Sequence, residues 1–217
     1  MKNKIFNILS WVFAILPIII IILTYEKLPN MIPMQWGSDG VVNRYDDKNS
    51  IWIIGCLGII LRIFFIILPK IDPKRKNYNK FQGFYEGFTL FMMIFIFIIT
   101  SITIFESLYP NRINIDRVIS ILLGVFFIII GNYMPKIKPN FFMGIKTPWT
   151  ISNEDVWKKT HRLGGKIFFI IGICITLIGF ILNRKISFII TIFIFIACIV
   201  LYVMSYIWYK KIEKQIK

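Results

Sequence analysis

The stretch 131–166, GNYMPKIKPNFFMGIKTPWTISNEDVWKKTHRLGGK, decides how this chain is read, because it is polar, aromatic and proline-punctuated between two long apolar runs. It holds Pro135, Pro139 and Pro148, the tryptophans Trp149 and Trp157, the single histidine His161 and seven lysines or arginines. Proline fixes φ and removes a backbone donor, so three of them at this spacing forbid one continuous helix. Phe141, Phe142 and Met143 are apolar enough to dip into a headgroup boundary.

Outward from that stretch the chain is mostly Ile and Phe. Hydrophobic residues make up 57% and charged residues only 17%, where a soluble domain carries about a quarter charged. A bilayer core of about 30 Å takes about 20 apolar residues per helix. Six runs approach that length: 5–24, 51–69, 84–105, 115–134, 167–182 and 186–209. They lack the alternation of a membrane barrel. The expected fold is an all-α integral membrane protein with six transmembrane helices, a small hairpin-like extracellular loop and a cytoplasmic interfacial segment. The first run is longer than a signal-peptide core and lacks an Ala-x-Ala cleavage site, which predicts a retained helix with Pro17 as a tolerated kink.

Basic residues set the sides. Eighteen Lys and Arg fall in the two termini and the loops 70–80 and 135–166, against seven on the other side: Lys27, Arg44, Lys48, Arg112, Arg117, Arg184 and Lys185. The positive-inside rule places both termini and the 131–166 segment in the cytoplasm of a multi-pass bacterial cell-membrane protein. The net charge of +15 then reflects this bias and attraction to anionic membrane lipids, and not direct nucleic-acid binding. Cys56, Cys174 and Cys198 lie inside apolar runs with no metal or disulfide spacing and read as small packing residues. With one histidine and no HExxH, GxSxG or phosphate loop, no cofactor, metal or catalytic set is expected and the chain does not read as an enzyme.

The loop 25–50, YEKLPNMIPMQWGSDGVVNRYDDKNS, carries Pro29 and Pro33 ahead of a Gly37-Ser38-Asp39-Gly40 turn. Two β-prone runs flank the turn, predicting a hairpin with strands at 34–36 and 41–45. Trp36 and Tyr45 are then interfacial anchors, or the loop is a landing surface for an extracellular peptide. Inside the spans, Arg62 and Glu86 lie at similar depths near the cytoplasmic end. They predict an intramembrane charge pair, with a snorkelling arginine as the alternative. Thr100, Ser101, Thr103 and Gly124 suit close helix approach and interhelical hydrogen bonds. The connector IDPKRKNYNK (71–80) reads as basic surface.

Within 131–166, Ser152 is placed to cap a helix starting at Asn153, with Asp155 completing a box-like start. Glu154–Lys158 and Asp155–Lys159 are i,i+4 pairs on its wet side. Val156, Trp157, Thr160 and Leu163 form a stripe suited to an interface-lying helix that ends at Gly164-Gly165. The region 139–163 is expected to be re-entrant or to lie in the interface. His161 is expected to stack on Trp157 or to bond a carbonyl of the fourth helix.

The combination Asn132, Pro139-Asn140, Gly144, Lys146-Thr147-Pro148-Trp149, Trp157-Lys158 and Thr160-His161-Arg162 resembles the signature segment of the SdpI family. LPNMIPMQWGSDGVVNRY, with Pro29, Pro33, Gln35, Trp36, Gly40 and Tyr45, resembles the domain of unknown function that accompanies it near the N-terminus. Many relatives have His where this chain has Gln35, so no titrating or metal role carries over. The resemblance implies two regions, 1–70 with the extracellular loop 25–50, and 71–217 with the signature segment 131–166. It also implies immunity against a secreted toxic peptide, and a receptor that holds a cytoplasmic transcriptional repressor at the membrane. Lys146, Trp149, Lys158 and Arg162 are the expected partner surface, with anchoring to anionic membrane lipids as the alternative. The competing class is a small-solute transporter or a membrane lipid-acting enzyme. It is weakened by the lack of repeated broken helices and of deep polar residues, although His161 with Glu154 or Asp155 keeps an enzyme open.

Overall fold

The computed structural model describes residues 4–37, 40–181 and 186–216. Ser38 and Asp39 of the hairpin turn, the end of the fifth run at Leu182, and Lys2, Arg184, Lys185 and Lys217 of the charge count lie outside these residues. In chain order the elements are α1 (Lys4–Thr24), β1 (Met31–Trp36), β2 (Val42–Asp47), α2 (Ile51–Ile71), α3 (Gln82–Leu108), α4 (Ile115–Tyr133), α5 (Pro148–Ser152), α6 (Glu154–Ile181) and α7 (Ile186–Ile216). Short 3-10 turns intervene at Tyr25–Lys27, Lys48–Ser50, Arg75–Lys80 and Met134–Lys136. Six helices, all but α5, are long and apolar enough to cross a membrane. Large side chains such as Ile22, Ile53, Ile170 and Phe195 point outward, as they do where lipid is the solvent. The chain is an all-α multi-pass membrane protein with one small β-hairpin among the described residues.

The elements form two compact units, Met1–Lys70 with Gln82–Asp116, and Ile71–Phe81 with Arg117–Lys217. This grouping differs from a division at residue 70, because α3 packs along α1 and joins the first unit. In that unit Ile21, Leu28, Ile32, Ile51 and Ile104 form a buried cluster that ties the hairpin to α1, α2 and α3. The strands are longer than the sequence predicts. Met31 pairs with Asp47 and Trp36 with Val42, with irregularities on both sides of Gln35. Pro33 sits inside β1 opposite Tyr45, which a strand at a sheet edge tolerates. The hydroxyls of Thr100, Ser101 and Thr103 donate to the carbonyls of Ile96, Phe97 and Ile99 in their own helix, at 2.9, 2.8 and 3.1 Å. They do not bridge helices, because the i−4 carbonyl is always in reach of a short hydroxyl.

In the second unit the backbones of α4 and α6 touch. A Cβ built on Gly165 would lie 2.7 Å from the Gly131 carbonyl, and one on Gly172 would lie 2.7 Å from the Gly124 carbonyl. Gly164-Gly165 therefore does not end a helix. α6 runs unbroken from Glu154 to Ile181, and these glycines let it approach α4 as small residues do in membranes. Cys56, Cys174 and Cys198 are free and exposed, so they are not packing residues. The helix faces that carry them point away from the protein.

Candidate functional site

Helix α4 stops at a 3-10 turn, Met134–Lys136, where Pro135 denies the next backbone donor. The loop that follows is organised by one buried amide. Asn140 Oδ1 accepts from the backbone N–H of Phe142 and Met143 at 2.9 and 2.6 Å, while its Nδ2 donates to the carbonyls of Lys138 and Met143 at 2.9 and 3.0 Å. The connector that reads as plain basic surface completes the loop. Asp72, 2% exposed, accepts at Oδ2 from Tyr78 Oη and from the Phe141 N–H, both at 2.9 Å. Asn77 Nδ2 donates to the Pro139 carbonyl at 2.8 Å. Asp72, Asn77 and Tyr78 are neighbours of the segment that the sequence reading missed. The only available signal was Asp72-Pro73, a turn start among lysines.

The second half of the segment closes on His161. Its Nδ1 lies 2.9 Å from the Trp157 carbonyl and its Nε2 lies 3.0 Å from the Ile145 backbone nitrogen. A carbonyl only accepts and an amide N–H only donates, so the ring is the neutral Nδ1–H tautomer. The ring also stacks on Trp157, with centroids 4.0 Å apart and an 18° interplanar angle. The bonded carbonyl thus belongs to its own helix, and it is Trp157 that reaches beyond, donating from Nε1 to the Ile137 carbonyl at 2.9 Å. Gly144 fits this arrangement for two reasons. Its φ is +108°, and a Cβ there would collide with His161 Nε2, so no L side chain is tolerated.

Thr147 caps α5 in a reciprocal box with Thr150, with Pro148 in the first turn. Its hydroxyl lies 3.0 Å from Ser205 Oγ of α7. Trp149 packs against Tyr202 and Tyr206, with both ring centroids at 5.0 Å. Asn153, and not Ser152, caps α6: its Oδ1 accepts from the N–H groups of Asp155 and Val156 at 2.9 and 3.0 Å. Ser152 Oγ bonds back to the Trp149 carbonyl, since α5 takes up the residues just before the cap. Among the described residues the ion pair here is Lys158–Asp155 at i,i+3, 3.2 Å, and not the two i,i+4 pairs. Val156, Trp157 and Thr160 are fully or almost fully buried, so the stripe is a core face of the unit and not a lipid-lying one.

Pro139, Asn140, Thr147, Trp157, Thr160 and His161 are buried, and all but Thr160, whose hydroxyl finds no partner among the described residues, bond within the segment or to its neighbours, whereas Asn132, Gly144, Lys146, Pro148, Lys158 and Arg162 are exposed and Trp149 is half-buried. Lys146 Nζ donates to the Phe141 and Phe142 carbonyls, both at 3.2 Å, bracing the loop from outside. His161 is 1% exposed with both nitrogens engaged, so it offers no free base in this arrangement. Among the described residues no three His, Cys, Asp or Glu converge to hold a metal.

In the first unit, Arg62 is 8% exposed and does not snorkel. Its Nη2 donates to Asn7 Oδ1 of α1 and its guanidinium lies 5.2 Å from the Trp11 ring centroid. Glu86 accepts from Gln82 Nε2 at 2.7 Å. Arg62 and Glu86 make no contact ion pair among the described residues, and Arg62 Nε and Glu86 Oε2 stay buried without a partner. A neutral amide on α1 within reach has taken the arginine instead. On the hairpin, Pro29, Gln35 and Tyr45 are exposed, Trp36 and Gly40 half-buried, and Pro33 buried.

Residues 136–206 match the SdpI/YfhL protein family and residues 12–59 match a domain of unknown function, DUF1648. Over 207 residues, 95% of this chain and 97% of the relative, the sequence is 29% identical to the protein named Immunity protein SdpI of Bacillus subtilis (strain 168). No solved structure matches. The resemblance drawn from the signature residues is therefore shown; the first matched region contains the Asn140–His161 segment and runs on through α6 into α7, and the second contains the hairpin with parts of α1 and α2.

Proposed function

We propose, from the SdpI/YfhL family segment that this chain carries, that it is a membrane immunity protein protecting its cell against a secreted antimicrobial peptide of the killing-factor type. Similarity running end to end with a relative named for immunity is the observation that carries this reading. The fold supports it: the polar groups of Asn140, Thr147, Thr150 and His161 are spent on holding one shape, which suits recognition better than turnover. The peptide lands on the hairpin, where β2 presents Asn43, Arg44 and Tyr45 exposed and a third strand can add to the sheet edge. The Lys and Arg bias puts the hairpin outside and both termini inside.

The same chain is a toxin-sensing receptor for a cytoplasmic repressor. Lys146 and Lys158, on the exposed rim of the segment, supply the partner surface, and peptide binding favours one of two helix arrangements through differential affinity. The test is survival. A sensitive bacterium expressing the chain tolerates a killing-factor peptide at concentrations that kill the empty-vector strain. Unchanged killing with normal membrane insertion, or altered solute flux or lipid content without peptide, returns the transporter or lipid-enzyme class.

A further inference from the structure

The outer face of α6 carries three cations that form no ion pair among the described residues: Lys159, Arg162 and Lys166, all exposed. Their i, i+3, i+7 spacing puts them on one helix face. With Leu163 of the same helix and Trp208 of α7 they line an open cleft of about 230 Å³. Three like charges on one face repel one another, and a small anion between them removes that cost.

The face changes character one turn further on. Ile170, Ile173 and Leu177 continue the same stripe and are 60%, 37% and 54% exposed. Lys166 and Ile170 are four residues apart, about 6 Å along a helix axis, so a cationic cleft abuts an apolar strip without an intervening polar turn. A soluble phosphate has no use for that strip. A phospholipid has, because its phosphate sits among the cations while an acyl chain follows Ile170, Ile173 and Leu177. Trp208 stands where an amphipathic indole favours the headgroup level.

We propose that Lys159, Arg162, Lys166 and Trp208 form a binding site for the phosphate of an anionic phospholipid whose acyl chain lies along Ile170, Ile173 and Leu177. The site belongs to the second unit alone and stands whether or not the chain binds a peptide. It selects charge and not headgroup shape, since long flexible lysines and one arginine surround an open cleft.

The full chain purified in mild detergent is titrated with dioleoyl phosphatidylglycerol or dioleoyl phosphatidylcholine, and bound lipid is counted by native mass spectrometry. The expected result is a single saturable phosphatidylglycerol adduct with no matching phosphatidylcholine adduct. Arg162→Gln with Lys166→Gln weakens it roughly 25-fold, about fivefold for each basic side chain at a membrane surface. The charge-keeping pair Arg162→Lys with Lys166→Arg retains binding, which separates lost charge from lost fold. Arg75→Gln with Lys76→Gln removes equal charge from exposed positions that do not line the cleft and leaves the affinity within about twofold, since exposed charges outside a contact are screened by salt. Equal weakening by that control pair, or equal phosphatidylcholine binding, overturns the site. Displacement by glycerol 1-phosphate at the lipid's own affinity overturns the lipid assignment in favour of a soluble phosphate, and displacement by an acidic peptide overturns it in favour of a protein partner.

Discussion

Replacing Asn140 by alanine removes five hydrogen bonds at once. The lost partners are the N–H groups of Phe142 and Met143 and the carbonyls of Lys138 and Met143, at 2.6 to 3.0 Å, and the Tyr78 hydroxyl at 3.4 Å. Each such bond is worth about 0.5–1.5 kcal/mol net, and a buried group left unpaired costs more. Phe142 and Met143 are only half-buried, so water recovers part of the loss and the expected cost is roughly 2–4 kcal/mol. A chain of this size shifts by about 2–4 °C per kcal/mol, which places the midpoint of thermal unfolding in detergent roughly 5–15 °C lower. Asn140→Asp separates the two halves of the network. An aspartate keeps the acceptor for both N–H groups but loses both donors, and sets a second carboxylate beside the Tyr78 hydroxyl that already serves Asp72. It is expected to lie at or below the alanine variant despite being nearly isosteric. An unchanged midpoint in Asn140→Ala refutes the view that this amide organises the loop.

Gly144→Ala meets both a positive φ and the His161 ring, so it is expected to cost more than about 1 kcal/mol and to weaken protection of the Ile145 amide in hydrogen exchange. Full protection there denies the Gly144–His161 fit. Asn7→Ala strands the Arg62 guanidinium and is expected to lower folded yield as much as Arg62→Gln does. The double exchange Arg62→Glu with Glu86→Arg is expected not to restore yield, whereas recovery shows a charge pair that the contacts do not contain. In a background with Cys56, Cys174 and Cys198 changed to Ser, Ser152→Cys is expected to react with a thiol reagent only after the membrane is permeabilised. Reaction in intact cells inverts the proposed sidedness.

Apolar length was legible in the sequence because a bilayer imposes it: the first four spans begin and end within about three residues of the runs that announce them, whereas the fifth starts at Glu154, well before the run at 167, because the polar first turns of α6 continue into the apolar run without a break. The hairpin was legible from its turn residues and came out longer, since Ile32 is pulled into the helix core and carries β1 back to Met31. The glycines misled. Gly164-Gly165 reads locally as a stop, and only the presence of Gly131 on a neighbouring helix turns it into a contact. The signature segment was recognisable as special, but not why. Asn140, Gly144 and His161 are constrained by partners 2 to 17 residues away, and Asp72 by a loop 69 positions later in the chain. Arg62 was found as an intramembrane charge, yet its partner Asn7 stands 55 residues away on another helix, and a charge-pairing rule pointed to the nearer acid instead.

If the buried Asn140 network serves immunity, protection depends on it. The most direct measurement is survival of a sensitive bacterium under graded killing-factor peptide, comparing the unaltered chain, Asn140→Ala and Lys158→Ala at matched membrane levels. Protection is expected from the unaltered chain and from Lys158→Ala, whose exposed side chain pairs with Asp155, and loss of protection with Asn140→Ala. Equal survival with Asn140→Ala and the unaltered chain contradicts this expectation, as does survival no better than empty vector for the unaltered chain itself.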